Sequence, residues 1–320
     1  MTRKRKPVHK LLVPKRQTPR WQRERTLSLL VWVLIPLTIL TCVILVSFWA
    51  YNTYVGVWNE RVSTINATTI DMRDYVKMLR FSSRATGQTV DATSFPYQVV
   101  RDMEDAELVR QKAQALGIGV PPEMVTETID EVLLASGATG GNLTLTQRDE
   151  TYHRWLEYVD LSETEYRRIV EAELLREELL EYFKEQEVPP EAEQVHLFTI
   201  ARDTEEKAHA ALRQLLNGNA TTTQELLEGN RGWVPRGIYP EFDAYAFDLG
   251  AGNTSQPFNT VEGYTLIKVT EVEDSRPIDD QHRQLLGTRA FDDWFTQARL
   301  TGIREYLDGD MITWAIDQIR

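Results

Sequence analysis

One stretch of the sequence restricts the fold more than any other. Residues 27–51, LSLLVWVLIPLTILTCVILVSFWAY, contain no charged side chain, and the next charge after Arg25 is Glu60. As a helix this stretch would be about 37 Å long, against a bilayer hydrocarbon core of roughly 30 Å. Pro36 is compatible with such a helix, because neighbouring groups in a membrane protein can compensate for the hydrogen bond that proline removes. We therefore predict a transmembrane helix over residues 27–51.

The distribution of charge predicts the orientation of this helix. Residues 1–26 hold ten basic residues and one acidic residue, a net charge of +9, whereas the remaining 294 residues hold 26 basic and 47 acidic residues, a net charge of −21. The positive-inside rule places residues 1–26 in the cytoplasm and the rest of the chain outside it. A cleaved signal peptide is the alternative, but its apolar core is usually only about 7 to 15 residues and small residues mark its cleavage site, where Phe48 and Trp49 stand here. We expect an uncleaved single-pass anchor in the cell membrane, in contact with membrane lipid.

The sequence contains no recognisable motif for binding a cofactor, a metal or a nucleic acid. Cys42, the only cysteine, lies inside the apolar stretch, so the external region has no internal disulfide. The five histidines include no i, i+4 pair and no cysteine partner that would suggest a metal site. No phosphate-binding glycine loop and no serine nucleophile motif is present. We therefore expect no cofactor and no metal. We also expect no nucleic-acid partner, because membrane topology and anionic lipid account for the basic tail.

The first part of the external region combines a short hairpin with helical patterning. β-favouring residues flank Asn66, which predicts the hairpin, and a helical pattern follows it. Further apolar residues recur at helical spacing up to Gly117, which is placed to end a helix. Ser162 and Glu165 form a capping box at the start of another helix. These patterns predict a helical module over residues 62–188.

Residues 191–275 mix strand and helix patterns. Apolar and polar residues alternate over residues 194–200, which predicts a strand, and Asp203 and Glu206 are placed to cap the helix that follows. A turn-rich loop, the short helix EFDAYAF and the strand YTLIKVTEV complete this region.

The last region, residues 278–320, returns to helical patterning. Its apolar stripe comprises Phe291, Trp294, Phe295, Ala298 and Ile303. We expect this region to pack on the helical module, so that residues 191–275 form an insert. The predicted fold class is therefore α+β.

Three stretches of the external region resemble one known family. Residues 232–272, GWVPRGIYPEFDAYAFDLGAGNTSQPFNTVEGYTLIKVTEV, resemble the second half of a parvulin-type (PpiC-like) peptidyl-prolyl isomerase domain. The shared pattern is a Gly-Trp, a Pro-Glu-Phe helix ending in Ala-Phe, and a Gly-Tyr-x-Ile-Ile-Lys-Val strand. The stretch QVHLFTIARDTEEKAHAALRQLLNG is similar to the first half. STINATTIDMRDYVKMLRF and the helices after it are similar to the N-terminal chaperone module of SurA/PrsA-type foldases.

The resemblance implies a fold and an activity. The implied fold is a four-stranded sheet flanked by short helices, with an apolar groove that holds a proline of the client. The implied activity is rotation about the X-Pro bond, which takes tens to hundreds of seconds uncatalysed and so limits the folding of exported proteins. On this resemblance, the substrate-binding residues are Trp233, Ile238, Phe242 and Phe247.

The implied catalytic positions depart from the family. The two family histidines fall on Thr199 and Thr265, and the loop that should carry an Asp or Cys is reduced to NGNATTTQELLEGNRGW. Threonine hydroxyls can hydrogen-bond, but they cannot reproduce the tautomer exchange of an imidazole pair. His196 lies three residues before Thr199, so we expect it on the opposite face of the strand and do not interpret it as a displaced catalytic histidine.

We therefore predict a membrane-anchored extracytoplasmic foldase and chaperone with a weak or lost isomerase activity. Its partners would be unfolded or newly exported polypeptides that contain proline. Two alternatives remain: an active peptidyl-prolyl isomerase, and a non-catalytic scaffold of an envelope or secretion complex. Peptide binding by the parvulin-like region requires a groove beside Thr199, Thr265 and Phe242, and a Phe242 sealed in the core would argue against it.

Overall fold

The computed structural model describes residues 37–48, 55–88, 93–135 and 145–319, with positions 32, 34, 51 and 90. The chain forms two compact units, Met1–Glu60 and Arg61–Arg320. In the first unit residues 37–48 are helical and exposed, and a short 3-10 helix occupies Val57–Asn59. Ten positions of the predicted transmembrane stretch, 27–31, 33, 35, 36, 49 and 50, lie outside the described residues. Within the described ranges, no helix has the length and apolar character needed to cross a bilayer.

The second unit combines helices with two antiparallel sheets. Its helices are α1 (Met72–Thr86), α2 (Phe95–Leu116), α3 (Pro122–Ala135), α4 (Leu145–Val159), α5 (Glu163–Gln186), α6 (Glu205–Leu216), α7 (Ala220–Glu228), α8 (Pro240–Leu249), α9 (Asp280–Gly302) and α10 (Gly309–Ile319). Its strands are β1 (Arg61–Ile65), β2 (Thr68–Asp71), β3 (Glu191–Arg202), β4 (Asn230–Pro235), β5 (Phe258–Thr260), β6 (Gly263–Pro277) and β7 (Ile303–Glu305).

The predicted hairpin is confirmed and forms part of a three-stranded sheet in the order β2-β1-β7. Asn66 makes the turn with a φ of 53°, a conformation that asparagine tolerates better than most residues. The assignment of Ile303 to a helical stripe is wrong. Ile303 begins β7 and pairs with Ile65 of β1, because α9 ends at Gly302 and the chain continues in an extended conformation.

The helical module is built around α5, which begins at the predicted capping box of Ser162 and Glu165. The predicted end of α2 is also confirmed, since Gly117 adopts a φ of 72°. On one side of α5, Phe183 contacts Phe291 of α9 with ring centroids 5.8 Å apart. Helix α9 therefore packs against α5, which precedes β3.

The residues between α5 and α9 form a four-stranded antiparallel sheet in the order β4-β3-β6-β5. One face carries α8 over Leu197 and Ile267, and the opposite face carries α6 and α7 over Ile200 and Leu266. Two local predictions need correction. The N-cap of α6 is Thr204, whose hydroxyl accepts a hydrogen bond from the backbone N–H of Lys207, while the Asp203 carboxylate pairs with the Lys207 ammonium.

The second correction concerns the segment NATTTQELLEGN, which forms the helix α7 instead of an irregular loop. Asn219 caps this helix by accepting a hydrogen bond from the backbone of Thr222. Gly229 ends it next to β3, where an added Cβ would lie 1.9 Å from the carbonyl oxygen of Thr199. A glycine is therefore required at this close approach.

Candidate functional site

The two predicted catalytic positions lie on one face of the four-stranded sheet. Thr199 pairs directly with Ile267, and Thr265 is two residues before Ile267 on β6, so both share the face that α8 covers. Such diagonal neighbours have Cα atoms about 7–8 Å apart. The structure therefore brings Thr199 and Thr265 together, and both side chains are buried.

Both threonine hydroxyls have hydrogen-bond partners inside the domain. The Thr199 hydroxyl lies 3.4 Å from the Gly229 carbonyl, to which it donates, and accepts from the Nε of Arg231 at 3.2 Å. The Thr265 hydroxyl is 2.9 Å from that of Thr260, which in turn donates to a backbone carbonyl. Neither hydroxyl is directed at open solvent, so neither offers a ready proton donor or acceptor to a peptide.

Arg231 is a residue of this face that the sequence reasoning missed. Leu197 pairs with Gly232 and Phe198 pairs with Asn230, so Arg231 is the extra residue of a β-bulge in β4. A bulge redirects the side chain of its extra residue. The Arg231 guanidinium consequently reaches Thr199 and also lies 5.7 Å from the ring of Tyr239. The only sequence signal was the turn-forming Asn-x-Gly spacing.

The predicted groove residues do not line an open groove. Ile238 is 8% exposed and Phe242 is 5% exposed, and both belong to the core under α8. The Phe242 ring contacts Phe258 with centroids 6.2 Å apart. Phe247 is half-buried beneath the guanidinium of Arg236, which lies 4.1 Å from its ring. In this conformation Phe242 is sealed, so its side chain reaches a peptide only if α8 moves.

Trp233 lies on the opposite face of the sheet from Phe242. Its pairing partner is His196, whose ring is 5.4 Å away, and the Arg276 guanidinium covers it at 4.3 Å. The structure thus separates Trp233 from the other three predicted groove residues, because successive strand residues point to alternate faces. His196 lies away from Thr199 as predicted, and its Nδ1 is 2.9 Å from the hydroxyl of Thr270.

A second candidate site is a cleft in the helical module, lined by both apolar and charged side chains. It has a volume of about 560 Å³ and lies between α1, α2 and α5, with β2 at one end. The size falls within the range of about 300–1,000 Å³ that is typical of binding pockets. Its apolar lining includes Met78 and Phe81 from α1, Met103 and Ala106 from α2, and Ile169 and Ala172 from α5.

The sequence reasoning missed this cleft, although each wall has a sequence signal. On all three helices the lining residues recur three or four positions apart, which places them on one face of each helix. The same spacing also describes a helix face buried in a core, so the spacing alone cannot separate the two cases. Met78 and Met103 face the cleft and are only half-buried, and methionine adapts to differently shaped partners.

One ion pair connects two walls of the cleft, and a second lies within one wall. The Lys77 ammonium of α1 is 2.5 Å from the Glu165 carboxylate of α5, and Arg110 pairs with Glu107 within α2. Burial acts to raise the pKa of Glu165, but hydrogen bonds from Lys77 and from Ser162 lower it to about 2. Glu165 is therefore ionised at any physiological pH and holds α5 close to α1.

Two family models match consecutive parts of the chain. A SurA-like N-terminal domain matches residues 20–180, half of the chain, and a PPIC-type PPIase domain matches residues 184–271. The chain belongs to the parvulin-type SurA/PrsA foldase family. The SurA-like match includes α1, α2 and residues 163–180 of α5, and the PPIC-type match includes Thr199, Thr265 and α8 of this foldase. No curated protein sequence matches the chain significantly.

Solved structures similar to this foldase include two PrsA peptidylprolyl isomerases and a SurA-like chaperone. PrsA of Bacillus cereus has 15% identity and a TM-score of 0.40, with 82% of this chain and 99% of that chain covered. PrsA of Bacillus anthracis has 15% identity and a TM-score of 0.38, with coverage of 69% and 94%. A structure from the work on the SurA-like Campylobacter jejuni chaperones PEB4 and Cj1289 has 12% identity and a TM-score of 0.28, with coverage of 78% and 100%.

Proposed function

We propose that this foldase is a membrane-anchored extracytoplasmic chaperone that holds unfolded polypeptides in the cleft of its helical module and has weak or lost isomerase activity. The observation that carries the proposal is the cleft itself, a concave surface inside the SurA-like domain on which two methionines and other apolar side chains stand among charged ones. Burial of apolar client surface in such a cleft is favourable by about 25 cal/mol per Å². Unfolded polypeptides, including newly exported ones that contain proline, are the partners that fit it.

Sequence features support the proposed anchoring and location. The uncharged residues 27–51 are long enough to span a bilayer, and the basic residues 1–26 favour a cytoplasmic N-terminus. Protease treatment of intact cells tests this topology. We expect protease added outside intact cells to cleave the region after residue 60. Cleavage of that region only after permeabilisation has admitted the protease to the cytoplasm would contradict this topology.

The chaperone activity is tested by aggregation of an unfolded client in the presence of the full-length chain. We expect suppression of aggregation, and we expect the double variant Met78→Gln/Met103→Gln to need several-fold more protein for the same effect. Met124→Gln is the matched control, since Met124 is 37% exposed on α3 and does not line the cleft. No suppression by the native chain, combined with capture of one folded partner, would favour an envelope or secretion scaffold instead.

An active isomerase is the second candidate, and the PPIC-type match favours it. Threonines stand where the family has histidines, their hydroxyls are engaged within the domain, and Phe242 is buried. These features support weak catalysis. The cis-to-trans rate of a proline tetrapeptide decides between the two candidates: acceleration by several orders of magnitude would establish the active isomerase.

A further inference from the structure

The cleft between α1, α2 and α5 has an uneven distribution of unpaired charge. Most charged side chains that line it have partners: Lys77 binds Glu165, Arg110 binds Glu107, and Asp105 binds Arg299. Asp74 on α1 and Glu173 on α5 differ from these. Within residues 61–88, 93–135 and 145–319, neither carboxylate has an ion pair or a side-chain hydrogen bond.

Asp74 and Glu173 are both exposed, and each stands beside an apolar residue of the cleft lining. Asp74 is one helical turn from Met78 on α1, and Glu173 follows Ala172 on α5. Partial burial raises the pKa of Asp74, with Asp71 adding to the shift and Lys77 opposing it, and partial burial also raises the pKa of Glu173, with Glu177 adding to it. A client cation close to either carboxylate would therefore gain a favourable charge interaction.

Within the described residues, the cationic side chains that line the cleft form no ion pair with Asp74 or Glu173. The Arg176 guanidinium lies over the rings of Phe291 and Phe295, at 5.2 and 5.4 Å. Arg168 is exposed and has no carboxylate within ion-pair distance. Asp102, the remaining acidic residue at the cleft, accepts a hydrogen bond from Gln98. The charged groups without a partner are thus Asp74, Glu173 and Arg168. Two carboxylates stand against one guanidinium, so the unpaired charge at the cleft is negative overall.

We propose that the cleft selects client segments in which apolar side chains are flanked by lysine or arginine, with Asp74 and Glu173 as the carboxylates that attract these cations. The proposal rests on the client-holding function and adds the class of segment that is held. The net charge of −21 after residue 26 acts in the same direction, since an acidic protein attracts cationic segments over distances of a Debye length.

Fluorescence anisotropy with the full-length protein tests the proposal. The probes are three labelled peptides with one apolar core sequence, flanked by lysine, by glutamine or by glutamate. We expect the lysine peptide to bind about 3- to 10-fold more tightly than the glutamate peptide, as exposed ion pairs worth up to about 1 kcal/mol each allow. The double variant Asp74→Asn/Glu173→Gln should lose the preference and bind the lysine, glutamine and glutamate peptides with similar affinity.

A control variant separates the cleft from net charge. Glu178→Gln/Glu185→Gln removes the same charge from exposed positions of α5 that do not line the cleft, and it should keep the preference. Three outcomes would overturn the proposal while the client-holding function stands. They are equal binding of the three peptides, tighter binding of the glutamate peptide, and an equal loss of preference in the control variant. Binding of none of the peptides would overturn both.

Discussion

The Ser63 hydroxyl of β1 donates a 2.5 Å hydrogen bond to the Glu104 carboxylate of α2, and both side chains are fully buried. The other oxygen of Glu104 accepts a hydrogen bond from the Arg299 guanidinium of α9 at 3.1 Å. A single carboxylate therefore connects the hairpin, the helical module and α9.

This carboxylate makes stability depend on pH. Burial raises the pKa of Glu104 above its usual 4.5, although the hydrogen bond from Ser63 opposes the shift. A raised folded-state pKa gives stability that is fully present below about 4.5 and is lost as the pH rises through the folded-state value. We predict that the Glu104→Gln variant loses less unfolding free energy than the native protein as the pH rises from 4.5. Urea unfolding at several pH values measures this, and parallel curves would contradict the prediction.

Glu165 should have the opposite pH dependence. Hydrogen bonds from Lys77 and Ser162 outweigh burial and lower its pKa to about 2, so its contribution is present above about 4.5 and is lost as the pH falls toward 2. Because the Lys77 and Glu165 side chains are 41% and 39% exposed, we expect at most about 1 kcal/mol. Glu165→Gln and Lys77→Met should each reduce the loss of stability in acid. Acid unfolding curves identical to that of the native protein would show that the pair contributes nothing.

Gly287 allows α9 to approach α5. An added Cβ would lie 2.7 Å from both the Cα and the Cβ of Lys184, which is closer than real Cβ contacts. Alanine favours a helix over glycine by about 1 kcal/mol, but the overlap should dominate and lower the unfolding free energy by about 1–3 kcal/mol. Gly119→Ala is the control, because no atom lies within 4 Å of its added Cβ. Chemical denaturation of both variants is the measurement, and a more stable Gly287→Ala would refute the close packing.

Phe242 should behave as a core residue. With 5% of its surface exposed and contacts to Tyr239 and Phe258, Phe242→Ala should cost about 3–5 kcal/mol of unfolding free energy. Tyr245→Ala on the same helix should cost less, since Tyr245 is 44% exposed. Thermal unfolding compares the two. A Phe242→Ala variant of native stability that binds proline peptides more weakly would instead assign Phe242 to a groove.

Local chemistry made much of the backbone predictable. The helix end at Gly117 and the capping box at Ser162 depend on residues within one helical turn, so the sequence alone was sufficient to place them. The alternation of β3 also predicted that His196 and Thr199 lie on opposite faces. The helix α7 was missed because the threonines after Asn219 have weak helix propensity, and its packing through Leu226 overrides that propensity.

Long-range pairing was decided only by the tertiary structure. The strand β7 forms because it pairs with β1, more than 200 positions away, and nothing near Ile303 indicates that partner. The β-bulge at Arg231 and the separation of Trp233 from Phe242 depend on strand register. Taken by itself, the sequence determined the uncharged stretch, the charge asymmetry and the local starts and ends of helices. The packing of elements that are distant in sequence decided the rest. It determined which apolar faces form the core under α8 and which line the cleft between α1, α2 and α5.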